Sequence, residues 1–557
     1  MNNFTKPFVY KKQSKLLKTS KTTKKIEKKD NIHIITPEYK NTICSQSYLG
    51  KKGYTIPKSI LSKEDLEELY KELYVKPVVL GVNYGGGNSD EANAFPVYRE
   101  NSSKLYIPRF YGISRYGLPN KCEIQQGDDI SLEFAKPLRD YQDNIIKVYM
   151  DYVTNPICNG SQHNGSGGIL EVPCGAGKTV MALKIISLLK KKTLIIVHKE
   201  FLMNQWIERI AEFLPSATVG KIQGQVFDVK GNDIVIGMVQ TLYDKEYPAD
   251  AFSCFGLTII DEVHRIGSEQ FSRTLFKTIT PYMLGISATV DRKDKLTRVL
   301  YMFIGDKIYS KSRENDDPVC VRAIQYKTED HLFNETELDF RGNPKYSTMI
   351  VKLCDYNRRS DFIVRIISDL IAEEHEKQIM VLCHNRSLLT YLYDAIEHRK
   401  IATVGYYVGG MKQANLQETE TKQIVLATYA MAAEALDIKT LSTLIMVTPK
   451  TDITQSVGRI LRVKHEKPII VDIIDSHDIF QNQWMQRKRF YKKSNYRIRE
   501  IESKNYVNMN IDWEEDKTWK RVYEPKDKNC SVDTEEKEVK SIFGGKCLIN
   551  ISNLSEN

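Results

Sequence analysis

The chain lacks most of what would place it in a membrane, in a disulfide-built scaffold or around a structural metal. No apolar run approaches the ~20 residues of a membrane-spanning helix, and the opening residues are lysine-rich where a signal segment would be apolar. Cysteine is scarce and scattered, with ten in 557 residues, at 44, 122, 158, 174, 254, 320, 354, 383, 530 and 547. None forms a CxxC pair, which argues against a zinc module or a disulfide framework. A reducing intracellular compartment is therefore expected. The chain also lacks a strong overall charge: Lys and Arg total 81 against 71 Asp and Glu, a net of +10. Most of that excess is local. The first thirty residues hold ten lysines against Glu27 and Asp30, which leaves only about +2 for the remainder. Such a tail suits nucleic acid or another polyanion, with a solubilising or nuclear-import tail as the alternative.

What is present is length and periodicity. A chain of 557 residues with 41% apolar and 27% charged residues is a soluble globular protein of several domains. Residues 1–45 are poor in apolar groups and are expected to be disordered. Residues 46–130 read as a small α/β accessory domain. Ser62-Lys-Glu-Asp65 has the form of a capping box, followed by Leu66, Leu69, Tyr70 and Leu73 on one helical face. Strand-like runs at 78–80, 95–98 and 105–111 are broken by Gly85-Gly-Gly87. Its Tyr106, Arg109, Phe110, Tyr111, Arg115 and Tyr116 either fill a small core or stack on bases.

From 131 to 311 apolar strands alternate with amphipathic helices, with strands expected at 169–172, 194–197, 234–237, 257–260 and 283–286. Residues 312–345 read as a polar linker and the start of a second such block. The block itself is 346–480, with strands at 379–382, 403–407, 424–427, 444–447 and 469–473. Residues 481–557 form a basic, aromatic extension and a tail. The fold expected is α/β, with two parallel-sheet lobes in tandem behind the accessory domain.

The stretch Glu171-Val-Pro-Cys-Gly-Ala-Gly-Lys-Thr179 lies between a strand and a helix. A glycine-rich turn there is a phosphate cradle, because backbone N–H groups and the helix N-terminus both favour an anion. Pro173, Cys174, Gly175, Ala176 and Gly177 form the turn. Lys178 can reach the β- and γ-phosphates, and the Thr179 hydroxyl can take Mg²⁺. The strict phosphate-loop pattern has glycine where this chain has Val172. Downstream, the apolar run 257–260 ends in Asp261-Glu-Val-His264. Carboxylates at the carboxyl end of a parallel strand face the ligand crevice. Asp261 can hold Mg²⁺ through water, and Glu262 can orient and deprotonate an attacking water.

These stretches resemble motifs I and II of superfamily-two DExH helicases, and the likeness spans roughly 135–475. Ser287-Ala288-Thr289 resembles motif III, which in the family couples ATP state to the nucleic-acid path. Gln455-Ser-Val-Gly-Arg-Ile-Leu-Arg462 resembles motif VI, and Leu138-Arg-Asp-Tyr-Gln142 the adenine-sensing Q motif, with Gln142 as the base contact. Arg459 and Arg462 lie three apart, so on a helix they share a face and can meet the charge that develops on a γ-phosphate. They belong to the second lobe, so catalysis requires the lobes to close. The resemblance makes Gln455 a partner of His264 or of the γ-phosphate. Weaker likenesses concern nucleic acid. Val197-His-Lys199 with Gln205-Trp206 resembles motif Ia, and Gln240-Thr241 a backbone-contact motif. Cys383-His-Asn-Arg386 resembles motif IV, and the segment from Ala427 through Thr428 to Asp437 resembles motif V, with Ala435 and Lys439 departing from its usual glycine and proline.

The resemblance implies two RecA-like lobes, ATP and Mg²⁺ as ligands, DNA or RNA and a transcription complex as partners, and a monomer that does not enter membranes. Gly53-Tyr-Thr-Ile-Pro57, Tyr106-Ile-Pro-Arg-Phe-Tyr-Gly112 and the basic aromatic run 482–493 are similar to the transcript-release helicases of large DNA viruses. The phosphate loop and DEVH are similar to the helicase of the eukaryotic transcription and repair factor. The activity expected is ATP-dependent nucleic-acid translocation or unwinding in viral transcription. Duplex translocation without strand separation is the alternative. A nuclease rests only on Asp533 and Glu535-Glu-Lys537 in a charged tail.

Overall fold

The computed structural model describes residues 35–77, 94–155, 165–173, 175–263, 269–291, 296–311, 318–434, 438–461, 463, 465–509 and 517–526. Two eight-stranded sheets dominate it. The strands of the first run across it in the order Val226–Phe227, Val219–Gln223, Ile234–Met238, Thr193–Val197, Leu257–Asp261, Tyr282–Ser287, Gly167–Glu171 and Lys307–Ser310. All neighbouring pairs are parallel except the Val226–Phe227 edge. The second sheet runs Val404–Tyr407, Ile424–Thr428, Gln378–Cys383, Leu441–Met446, Ile469–Asp475, Cys320–Tyr326, Arg497–Glu502 and Lys520–Tyr523, again with a single antiparallel edge. Each strand expected in the two blocks is a strand here, within a few residues. These are the two RecA-like lobes.

The central strands are apolar on both sides, as a parallel sheet covered on both faces requires. In the first lobe successive residues divide between two clusters. Ile169, Leu194, Ile196 and Ile260 face one, and Leu170, Ile195, Val197 and Ile259 face the other. The first cluster continues without a break into Leu49, Tyr54, Ile56, Leu105 and Ile107 of the N-terminal unit. That unit therefore covers one face of the first sheet. Phe201, at the start of helix Glu200–Phe213, packs on the cores of both lobes.

Several expectations for the flanks are corrected. Residues 1–34 lie outside the described residues, but 37–45, expected to be disordered, fall in the helix Pro37–Gln46, because Thr36 caps its start ahead of a proline and Ile43 is buried. The Ser62 box is half formed: Ser62 caps Asp65 N–H, but the Asp65 carboxylate turns inward to Arg115, Tyr116 and Tyr39. The strand expected over 105–111 stops at Ile107, and Arg109–Tyr116 is a helix that begins after Pro108. The runs at 78–80 and 85–87 lie outside the described residues, and 95–98 yields only Phe95–Pro96.

The base-stacking alternative loses most of its residues. Tyr111 and Tyr116 are buried, and Arg115 is paired with Asp65, Glu68 and Glu72. The extension from 481 contributes to the second lobe. Its helix Asp478–Lys493 buries Trp484 and Tyr491, and two strands of the second sheet follow. Arg487 enters that core because Asp472 takes it bidentately, at 2.7 and 3.0 Å.

Arg109 anchors the N-terminal unit. It is buried and donates to the carbonyls of Thr280, Pro281 and Gly165 at 3.1, 2.8 and 3.0 Å. Burial pushes its pKa down to about 10. Those carbonyls precede the strands Tyr282–Ser287 and Gly167–Glu171, so the anchor grips the amino edge of the sheet. Arg109→Ala should cost about 3 kcal/mol, since charge-assisted bonds and buried acceptors are lost together. Thermal unfolding and limited proteolysis check this. A parent-like melting profile with an equally protected N-terminal unit would remove the anchor role.

Candidate functional site

The parallel order brings the carboxyl ends of the strands to one edge. Gly167–Glu171 and Leu257–Asp261 end there, with Tyr282–Ser287 between them. The chain leaves Gly167–Glu171 through Val172 and Pro173, turns at Gly175 and Gly177, both with φ of 82°, and enters the helix Lys178–Leu189. Gly177 sits in the left-handed region at the helix N-cap, and a Cβ there would lie 2.3 Å from the Gln142 amide nitrogen. Glycine is thus required twice over, for its conformation and for its space. Cys174 lies outside the described residues. Ala176 is tied from behind: its carbonyl accepts from Gln142 Nε2 at 2.9 Å and from the Tyr141 hydroxyl at 3.1 Å.

Lys178 opens the helix and points across the sheet edge to the residue after Leu257–Asp261, with its Nζ 3.1 Å from Glu262 Oε1. Glu262 itself has φ of 51°, a strained conformation for a residue with a side chain. Asp261 beside it is buried. Its Oδ2 accepts from the Trp206 indole at 2.9 Å and its Oδ1 from the Glu262 N–H at 2.9 Å. Burial, reinforced by the Glu262 charge, pushes the Asp261 pKa up to about 6, against the pull of Lys178 and the two N–H donors. The arrangement is a glycine-turn anion cradle, a lysine poised at its mouth and two carboxylates of different solvation. Thr179 follows Lys178 in the first turn of the same helix. Among the described residues no group of three metal-ligating side chains is present, so a metal here would lean on substrate oxygens, as Mg²⁺ sites usually do.

The Gln142 amide braces the turn, donating through Nε2 to the Ala176 carbonyl and accepting through Oε1 from the Arg139 N–H at 3.0 Å. Ser287 ends its strand, and its hydroxyl donates to the Thr289 carbonyl at 2.6 Å, with Ala288 half-buried and Thr289 exposed. Lys199 precedes helix Glu200–Phe213 and lies over the Phe201 ring. Thr241 accepts from Gly224 N–H at 3.0 Å, and Gln240 donates to the His198 carbonyl at 3.0 Å, which joins those two backbone-contact segments.

In the second lobe Arg386 starts a helix and donates to the Gly409 carbonyl, and Thr428 ends its strand. His384 is packed by Tyr346 and Tyr429, and burial drives its pKa down to about 4, so it is neutral. The helix expected through motif VI ends at Val457. Gln455 is in it, and Arg459 follows in a hydrogen-bonded turn, buried. Arg462 and His264 lie outside the described residues. Sequence reasoning missed two residues, the Trp206 link to Asp261 and Glu171, a carboxylate at the end of a buried strand directly before the loop.

A glycine–lysine loop facing an acidic pair at one edge of a parallel sheet, with a second lobe of the same build, is the plan of a nucleotide-driven motor. The family models agree. "Type III restriction enzyme, res subunit" matches residues 135–292, and "Helicase conserved C-terminal domain" matches 362–464. The chain is 33% identical over 458 residues to a "putative ATP-dependent RNA helicase" of Acanthamoeba polyphaga mimivirus, covering 80% of this chain and 85% of that protein. A protein of the same description from African swine fever virus is 28% identical over 357 residues, 59% of this chain and 68% of its own. A "DNA 3'-5' translocase" of Sulfurisphaera tokodaii is 32% identical over 250 residues, 43% of this chain and 51% of its own. The chain belongs to the superfamily-two helicases, in the company of those of large DNA viruses, and is an ATP-hydrolysing helicase.

Lys178→Ala and Glu262→Gln should each lower nucleic-acid-stimulated ATP hydrolysis by about 100-fold or more. Phosphate release assays check this, and normal turnover in either variant would refute the assignment.

Proposed function

We propose that ATP is held by the 173–179 loop and hydrolysed with Glu262 as general base, driving a single nucleic-acid strand across both lobes during viral transcription, with transcript release as the working step. The observation that carries the chemistry is the 3.1 Å Lys178–Glu262 pair at the mouth of the cradle. An entering γ-phosphate would exchange for the carboxylate as the partner of Lys178, freeing Glu262 to take a proton from water. The residues suit Mg²⁺: Asp261 and Thr179 would hold it, and it would supply charge neutralisation on the phosphates. The Trp206 indole fixes the Asp261 carboxylate in orientation. Arg459 and Arg462 would complete the site on lobe closure, and Lys199, Thr241, Arg386 and Thr428 would hold the phosphate backbone without reading sequence. One chain supplies both halves, so a monomer suffices. Viral relatives described as RNA helicases support the transcription setting, and the lysine-rich tail supports a polyanionic partner.

Duplex translocation without strand separation is the second reading, and the likeness to the archaeal DNA translocase favours it. ATP hydrolysis measured with single-stranded DNA, duplex DNA and RNA at fixed salt separates the substrates. The proposal expects strong stimulation by a single strand and displacement from a tailed duplex. Stimulation by duplex alone, with triplex but no duplex displacement, would establish the second reading instead. Trp206→Phe should keep the packing but raise the Mg²⁺ concentration needed for half-maximal activity by about tenfold. An unchanged Mg²⁺ titration would dismiss the orienting role.

A further inference from the structure

We propose that Glu171 is a positioning residue that joins the phosphate loop mechanically to the Ser287-Ala288-Thr289 turn and to the strand by which the chain leaves the first sheet. Glu171 is the last residue of the strand that feeds the loop, and its side chain is only 16% exposed. One carboxylate oxygen, Oε1, accepts from the Val290 N–H at 2.8 Å, the residue directly after the turn. The other, Oε2, accepts from Lys307 Nζ at 2.9 Å and from the Ser310 hydroxyl at 2.6 Å. Its own carbonyl accepts from the Lys311 N–H at 3.0 Å. Ser287 and Ser310 are its register partners on either side, so three strand ends meet at a single carboxylate. The next strand in the chain, Cys320–Tyr326, already belongs to the second sheet.

Burial would raise this carboxyl's pKa, but the bonds from Ser310, Lys307 and Val290 outweigh it and hold it below the usual range. The group is charged where an apolar residue would pack more cheaply. Its bonds divide between two elements with separate tasks. A shift of the phosphate loop moves Glu171 with it, and Glu171 carries Val290 on one side and the exit strand on the other. That is a contiguous physical route from nucleotide to lobe connection, of the kind that coupling needs. The inference rests on the ATP site proposed above.

The test uses the full chain. Glu171→Gln keeps shape and one acceptor but loses the charge and the second acceptor; Lys307→Met and Ser310→Ala remove partners without touching the strand before the loop. Fluorescent-nucleotide affinity, KM for ATP and kcat are measured with and without single-stranded nucleic acid. In Glu171→Gln, nucleotide affinity should change by less than about threefold while the stimulation of kcat falls by about tenfold. Lys307→Met should show part of the same loss, and combining it with Glu171→Gln should add little, because both act on one link.

Parent-like stimulation in Glu171→Gln overturns the proposal, as does a loss of nucleotide binding in step with stimulation, which would confine Glu171 to shaping the loop. Should Glu171→Gln fail to fold, the other two variants decide, and parent-like stimulation in both overturns the proposal. Lys178→Ala run alongside keeps the two ideas apart. Normal hydrolysis there refutes the ATP site, whereas abolished hydrolysis there with parent-like stimulation in Glu171→Gln refutes only the coupling role.

Discussion

Opposite charges at one edge of the sheet, Lys178 after the Gly167–Glu171 strand and Glu262 after Leu257–Asp261, set the terms for the rest of the first lobe. Both side chains are mostly withdrawn from water, so each stabilises the other at short range and each would be costly alone. The pair exists only because parallel strands deliver their carboxyl ends to one edge. It holds Glu262 in a backbone conformation of the kind that costs about 1–3 kcal/mol and persists only where the surroundings over-determine it. Those surroundings can be named. Asp261 receives the Glu262 N–H, Trp206 holds Asp261, and Gln142 and Tyr141 hold the loop opposite. An anion that competes for Lys178 therefore enters a site already braced on every side but its own.

The opposite edge of the same sheet is arranged for rigidity. Arg109 ties three carbonyls at the amino ends of its strands, and the N-terminal unit continues the core across one face. The sheet is thus immobilised where no chemistry is expected and strained where it is. The second lobe satisfies its buried charges by a different device. Arg359 and Asp475 are both fully buried and meet through two bonds of 2.6 and 2.8 Å, while Arg487 and Tyr491 reach Asp472 from the helix Asp478–Lys493. Bidentate geometry offsets the loss of water in each case. The helix that reads as a basic, aromatic strip is by this means half core. Trp484 and Tyr491 face inward, and Arg489, Lys492 and Lys493 stay in solvent.

Motor function asks that chemistry at one edge be felt elsewhere. The first lobe has two such paths in its described residues. Trp206 connects the Asp261 carboxylate to the helix Glu200–Phe213, whose Phe201 touches both cores. Glu171 connects the strand before the phosphate loop to the turn after Ser287 and to the exit strand. Each link uses a buried polar atom, and such atoms have few alternative partners, so their displacement moves neighbours together.

The chain by itself determined the central strands, because a strand buried on both faces must be a continuous apolar run, and it determined the phosphate turn, because only glycine tolerates that backbone. It also indicated the carboxylates at the end of the Leu257–Asp261 strand, Asp261 and Glu262. The strands at or next to the sheet edges, Val219–Gln223, Lys307–Ser310, Arg497–Glu502 and Lys520–Tyr523, carry mixed residues without a clear period and leave no such mark in the sequence. Pro108 ends the strand Lys104–Ile107, although the aromatic residues after it read as its continuation. Tertiary structure alone decided that Asp65 would serve Arg115 and Tyr116 in place of its own helix cap, that Gln142 would brace Ala176, that Trp206 would hold Asp261, and that Glu171 would gather three strand ends. The reason is one of range. Propensity and period act over a few residues, whereas a buried hydrogen bond joins whichever donor and acceptor the packed sheet brings within about 3 Å, and separations of 34, 50 or 119 residues leave no local trace.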